Sequence, residues 1–166
     1  MNIILPLLSG FIAAVIGILP PGLINMTAAK VDFTDGRKRA MVFVLGALIV
    51  IFFQTYISVI FAQYINSHQE IVVLLREIGL VIFSILSVYF LFFAKKTKLK
   101  SQDSLHLKSK RSRFFMGMLI SAINFFPIPY YVFVSVTLAS YNIFTFNPVS
   151  IYSLVFGVVL GSFLVF

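Results

Sequence analysis

The chain contains no cysteine and no tryptophan, and it carries little charge for its length. Without thiols it has no disulfides, no thiolate metal sites and no dithiol redox centre. Only 11% of its 166 residues are charged, whereas about 25% is usual in soluble domains. These absences argue against a soluble domain and against a membrane redox enzyme.

Apolar residues are what the chain has in excess: they make up 60% of it, and its mean hydropathy is +1.05. Several runs reach the length of about 18 residues that a helix needs to cross a bilayer. The runs are continuously apolar, whereas strands of a transmembrane barrel alternate over roughly ten residues. We therefore predict an all-α fold, a polytopic transmembrane helical bundle. Since the first charge is Lys30, the first run is predicted to be a retained helix and not a signal peptide.

Five membrane-spanning helices are predicted. They cover Ile3–Ala28, Ala40–Tyr64, Ile78–Phe93, Phe114–Ser140 and residues 150–166. The last span is still apolar at Phe166, so we expect a C-terminally truncated chain with a sixth helix beyond this point.

Lysine and arginine are distributed unevenly among the predicted loops. Four lie in 30–39 and eight in 95–113, against one in the loop that follows the second span. By the positive-inside rule, the two basic loops are cytoplasmic and the N-terminus is outside. The segment 95–113 is also expected to contact anionic lipid headgroups. A nucleic-acid partner is not expected, because no binding fold or interleaved aromatic residues accompany the charge.

Two of the apolar runs are interrupted by proline, at Pro20-Pro21-Gly22 and at Asn124-Phe-Phe-Pro127-Ile-Pro129. Proline removes an amide donor and clashes with the preceding turn. Backbone groups freed in this way within a membrane must be buried in protein or line a wet cavity. Broken membrane helices are therefore candidate binding sites, and the alternative is a pair of packed kinks without a ligand.

The two breaks correspond under an internal shift of 107 residues, which superposes 10–20 on 117–127. A second match, at a shift of 111 residues, superposes 43–46 on 154–157. Because the two copies would enter the membrane from opposite sides, we predict an inverted 3+3 repeat with five helices present here. The predicted divisions are 1–94 for the first transmembrane repeat, 95–113 for the basic cytoplasmic loop and 114–166 for the incomplete second repeat.

Three stretches carry a resemblance to a known family: Gly17-Ile-Leu-Pro-Pro-Gly22, the segment Asp35–Gly46 and Asn124-Phe-Phe-Pro127. With these motifs the sequence resembles the LysE/RhtB-type amino-acid exporters. The resemblance implies a secondary transporter, not an enzyme, that exports amino acids or similar small zwitterionic metabolites across the bacterial inner membrane. No cofactor is expected, and the coupling ion, proton or sodium, is left open.

The breaks supply the candidate binding groups. A half-helix N-terminus can bind a substrate carboxylate, and unwound carbonyls can receive an ammonium group. The predicted substrate-binding residues are Pro20, Pro21, Gly22, Asn25, Gln54, Asn124, Pro127 and Pro129. Each asparagine could bind substrate or satisfy a freed carbonyl, and Gln54 could be a ligand or a hydrogen-bonding link between helices. For Tyr130 and Tyr131, packing is favoured over binding.

Asp32, Asp35 and Arg37 are predicted to form a cytoplasmic gate, with a solvated loop as the alternative. No metal site is predicted, because His68 and His106 lie alone in loops. The alternative to transport is a non-transport membrane assembly or scaffold subunit. A homo-oligomer is compatible with either function.

Overall fold

The computed structural model describes residues 3–20, 22–68, 70, 77, 81, 84–85, 88 and 109–166. Its helices are α1 (Ile4–Ile18), α2 (Leu23–Asp35), α3 (Arg37–Asn66), α4 (Lys110–Ile123), α5 (Pro127–Ser140) and α6 (Pro148–Val165). The described ranges consist of helices and short connections, so the predicted all-α fold is confirmed. Pro21, most of the predicted third span and residues 95–108 of the basic loop lie outside the described residues.

Contacts divide the chain into two units, Met1–Gln63 with Leu105–Phe166, and Tyr64–Ser104. The first unit contains the helices that flank both breaks. In the second unit, the rings of Tyr64 and His68 lie 4.5 Å apart between centroids at the end of α3. The division of the chain into two sequence repeats stays a prediction.

Two helices, α3 with 30 residues and α6 with 18, are long and apolar enough to cross a bilayer. The other four form two bent pairs, α1 with α2 at 77° and α4 with α5 at 62°, and each pair can make one broken span. By length and composition, the described part of the chain therefore holds two to four candidate spans. This is the organisation of a multi-pass membrane protein.

Large apolar side chains lie exposed along the helices at intervals of four residues, which places them on one helix face. On α1, Leu8, Ile12 and Ile16 expose 48%, 54% and 60% of their surface. Comparable exposed rows are Leu45, Ile49, Phe53 and Ile57 on α3, Phe115, Leu119 and Ile123 on α4, and Tyr152, Phe156 and Leu160 on α6. Contiguous apolar surface of this kind is unusual for a protein in water and suits contact with lipid.

The segment 30–39 was predicted to be a polar loop, and that conformation is wrong, because it is helical except at Gly36. α2 runs on to Asp35, and α3 begins at Arg37. Gly36 turns the chain with a φ of 87°, in a region that favours glycine. Lysine and arginine are good helix formers, so polarity alone could not mark the helix boundary.

The start of α4 is also earlier than the predicted Phe114. Ser109 caps the helix, since its side-chain oxygen accepts a hydrogen bond from the N–H of Ser112 at 3.2 Å. The helix then begins at Lys110. The prediction from charge missed this signal, a serine cap five positions before the predicted start of the apolar run at Phe114.

Glycines let α1 and α6 approach at backbone distance. A Cβ atom added to Gly10 would collide with the carbonyl oxygen of Leu154, and one added to Gly157 would collide with that of Leu7. Small residues at helix interfaces allow this approach in membranes, where dispersion and hydrogen bonds replace the hydrophobic effect as the driving force.

The same arrangement joins α3 and α4. A Cβ atom on Gly117 would collide with the carbonyl oxygen of Phe43, and one on Gly46 would collide with that of Phe114. Each of these contacts matches a contact between α1 and α6 once the sequence shifts of 107 and 111 residues are applied. The two helix pairs therefore share one packing solution.

We predict that Gly117→Ala destabilises the protein by about 1–3 kcal/mol, the usual cost of an overpacked site, because α3 and α4 would have to separate. The measurement is the midpoint of thermal unfolding of the purified protein in detergent. Ala122→Leu is the control, since Ala122 lies exposed on the same helix. Equal midpoints for Gly117→Ala and the wild type would contradict the close packing.

Candidate substrate-binding site

The first break lies between α1 and α2. Gly22 is extended at φ −114° and ψ 174° and precedes the first turn of α2. In a continuous helix the residues at positions 20 and 21 would donate to the carbonyls of Ile16 and Gly17, and prolines have no N–H to donate. A nearby carbonyl, that of Ile18, receives a hydrogen bond of 2.6 Å from the side-chain amide of Asn25. Asn25 thus satisfies one backbone group that the break exposes.

The second break lies between α4 and α5 and is held by Gln54. The Gln54 side-chain nitrogen donates to the carbonyl oxygens of Ser121, at 3.2 Å, and Asn124, at 3.0 Å. The N–H of Phe126 donates to the side-chain oxygen of Asn124 at 3.4 Å. Gln54 therefore links α3 to the end of α4 by hydrogen bonds. Of its two predicted roles, substrate ligand and link between helices, these contacts match the link.

A cavity of about 430 Å³ lies between the two breaks. Five of the predicted binding residues are in its wall: Pro20, Gly22, Asn25, Asn124 and Pro127. Its other lining residues are Ile16, Gly17, Ile18, Leu23, Ile24, Ile51, Phe126, Tyr130, Tyr131 and Phe166. Gln54 and Pro129 are not among the residues that line it, and Pro21 lies outside the described residues. The fold thus brings together most of the residues at which the sequence breaks.

The two half-helices that begin at the cavity differ in the backbone groups they offer. Among the described residues, the first hydrogen bond of α2 runs from the N–H of Met26 to the carbonyl of Gly22 at 3.0 Å, and the N–H groups of Leu23 and Ile24 precede it. In α5, positions 127 and 129 are prolines without donors, and Tyr130 N–H already bonds to Phe126. Of the two half-helices, α2 therefore offers more amide donors without a hydrogen bond to any described residue.

Tyr130 forms an aromatic wall that sequence reasoning assigned to packing. Its hydroxyl donates to the carbonyl oxygen of Ala13 at 2.8 Å, which ties α5 to α1. Its ring stacks on Phe126 with centroids 5.9 Å apart and meets the ring of Tyr131 edge-on at 5.1 Å. The sequence does contain a sign of this role, because Tyr130 lies one helical turn after Phe126 and both residues are at the second break.

An ion pair joins the ends of α2 and α4 that lie away from the cavity. Arg113 Nε donates to Asp35 Oδ2 at 2.5 Å, and both side chains are fully buried. Asp35 belongs to the predicted gate, and in the structure its carboxylate pairs with Arg113. From the sequence alone, Arg113 counted only among the cations of the basic loop. Asp32 and Arg37 lie exposed, and their gating role stays a prediction.

A family model described as LysE type translocator matches residues 15–166. The chain belongs to this family. The match includes both breaks, every described wall residue of the cavity and both members of the buried ion pair. The family is one of membrane transporters, not of enzymes. Neither the curated proteins nor the solved structures contain a significant match.

We predict that Gln54→Leu destabilises the protein by about 1–3 kcal/mol, because the carbonyls of Ser121 and Asn124 lose their donor inside the protein. Thermal unfolding in detergent measures the effect. Thr55→Val is the matched control, since the Thr55 hydroxyl is buried without a hydrogen bond among the described residues. If Gln54→Leu is no more harmful than Thr55→Val, the linking role of Gln54 is wrong.

Proposed function

We propose that the chain is a secondary transporter that exports amino acids or similar small zwitterionic metabolites across the bacterial inner membrane. Membership of the LysE type translocator family supports transport. The observation that carries the proposal is that two helix breaks, far apart in sequence, border one cavity. Two unrelated kinks would have no reason to meet in this way.

The backbone at the cavity suits the two charges of a zwitterion. The amides at the start of α2, together with the positive end of its dipole, favour a carboxylate. The carbonyls of Ile16 and Gly17, whose usual donors are replaced by prolines, favour an ammonium group. Broken helices in other secondary transporters use the same two kinds of helix end.

Alternating access follows from the proposed inverted repeat. The equivalent glycine contacts between α1 and α6 and between α4 and α3 support such a repeat. The distribution of lysine and arginine supports an external N-terminus and cytoplasmic segments at 30–39 and 95–113. Rocking of one repeat against the other would then open the cavity to each side in turn.

In this orientation the Asp35–Arg113 pair lies at the cytoplasmic end of the two half-helices. α2 and α4 each have one end at the cavity and the other at this ion pair. We propose that the pair closes the cytoplasmic side and parts when the cavity opens inward. A buried pair can act as a switch, because its attraction is set against the desolvation of both charges.

The transport proposal predicts that Gly22→Leu blocks export. Among the described residues beyond its chain neighbours, a Cβ atom at Gly22 would meet only the carbonyl oxygen of Pro20, at 3.9 Å. The new side chain can therefore fill the cavity without disturbing the packing of those residues. The measurement is the efflux of labelled amino acids from preloaded cells that express the full-length protein. We expect a loss of about tenfold or more, as for a pocket that excludes its ligand.

Ala29→Leu is the matched control, because it places the same leucine side chain at an exposed position of α2 away from the cavity. It should export at the wild-type rate. If no amino acid leaves faster with the protein than without it, the exporter proposal fails and the assembly or scaffold function becomes the better one.

For the gate, we predict that Asp35→Asn and Arg113→Gln each abolish most transport, while Arg37→Gln has little effect. The reason is that Arg113 and not Arg37 holds the Asp35 carboxylate. The exchanged variant Asp35→Arg with Arg113→Asp should recover part of the activity. If Arg37→Gln loses transport and Arg113→Gln does not, the Asp35–Arg113 pair is not the gate.

A further inference from the structure

The cavity wall has a chemistry that narrows the proposed substrates. Among the described lining residues, none carries a formal charge: they are isoleucine, leucine, glycine, proline, asparagine, phenylalanine and tyrosine. Pro21, which completes the first break, is uncharged as well. In the proposed function, the helix ends at the breaks bind one carboxylate and one ammonium group of the substrate. An additional charge on the substrate side chain would meet no counter-ion among the described lining residues.

Apart from the backbone groups at the two breaks, the cavity wall consists mainly of apolar side chains. Ile16, Leu23, Ile24 and Ile51 line the cavity together with the rings of Phe126 and Tyr130. Pockets of this kind obtain affinity from apolar contact and orientation from a few polar groups. The wall therefore suits a substrate side chain that is itself apolar.

Tyr130 is held in that wall by a hydrogen bond and by ring contacts. Its hydroxyl is held by Ala13 at 2.8 Å, and its ring is stacked on Phe126. The ring also lies against Gly17, where an added Cβ atom would lie 2.8 Å from Tyr130 Cε1. Only glycine leaves room for the ring at this depth, so Gly17 and Tyr130 together set how much of the cavity is open.

We infer that the cavity selects zwitterions with an uncharged, apolar side chain, and that the Tyr130–Gly17 contact sets the upper size of that side chain. This inference rests on the proposed transport function. It assigns a specificity role to two residues, and it separates neutral substrates from cationic and anionic ones.

The test uses the full-length protein in liposomes, with counterflow exchange of labelled valine, phenylalanine, lysine and glutamate. The wild type should exchange valine faster than lysine or glutamate by about tenfold or more, the discrimination expected when a charge is left unpaired. Exchange of lysine or glutamate as fast as valine would overturn the inference while leaving the transport function intact. If none of the four is exchanged, the transport proposal itself fails.

Two substitutions should move the size preference in opposite directions. Tyr130→Ala removes the ring and should raise the ratio of phenylalanine to valine exchange by about tenfold. Gly17→Ala should lower that ratio, because Gly17 and Tyr130 both line the cavity and the new methyl group would take space beside the ring. A merely structural role for these residues would change total exchange and leave the ratio alone.

Phe133→Ala is the control, since Phe133 is 68% exposed on the same helix and does not line the cavity. It should keep the wild-type ratio. Tyr130→Phe, which retains the ring and loses the bond to Ala13, should also keep the ratio whatever its total rate. If Tyr130→Ala does not fold, Gly17→Ala still tests whether these residues set the size limit. An unchanged ratio of phenylalanine to valine exchange in a folded, transporting variant refutes that role.

Discussion

Backbone polar groups inside a bilayer must find partners within the protein, and the rest of this structure depends on that constraint. Each helix break exposes carbonyl groups, and each has an amide side chain to meet them: Asn25 at the first and Gln54 at the second. Asn25 comes from the adjoining half-helix, whereas Gln54 reaches across from α3. The groups that remain uncommitted border the cavity, where a polar ligand could take the place of a protein partner.

The general architecture was predictable because few physical rules decide it. Long apolar runs specify membrane helices, and proline specifies breaks, so the all-α fold and both interruptions followed from the sequence. The correspondence of 10–20 with 117–127 also indicated that the two breaks belong together. Five of the eight predicted binding residues line one cavity, which agrees with this correspondence.

The parts that could not be predicted depend on tertiary contacts or on the conformation of single residues. The helix boundary at Gly36 does not follow from charge, because lysine and arginine suit helices as well as loops. Arg113 could not be identified as the partner of Asp35, since 78 positions separate them and Arg37 lies closer in sequence. Tyr130 reaches the cavity wall only because Gly17, on another helix, leaves space for its ring.

The glycine contacts also bear on how the chain is made. α1 is synthesised before the other described helices, yet the backbone that Gly10 packs against belongs to α6, the last of them. The small-residue face of α1 therefore stays without its α6 partner in the membrane while more than 100 further residues are synthesised. During that interval any other small-residue helix is a competing partner, so assembly of this bundle is expected to depend on how quickly translation delivers α6.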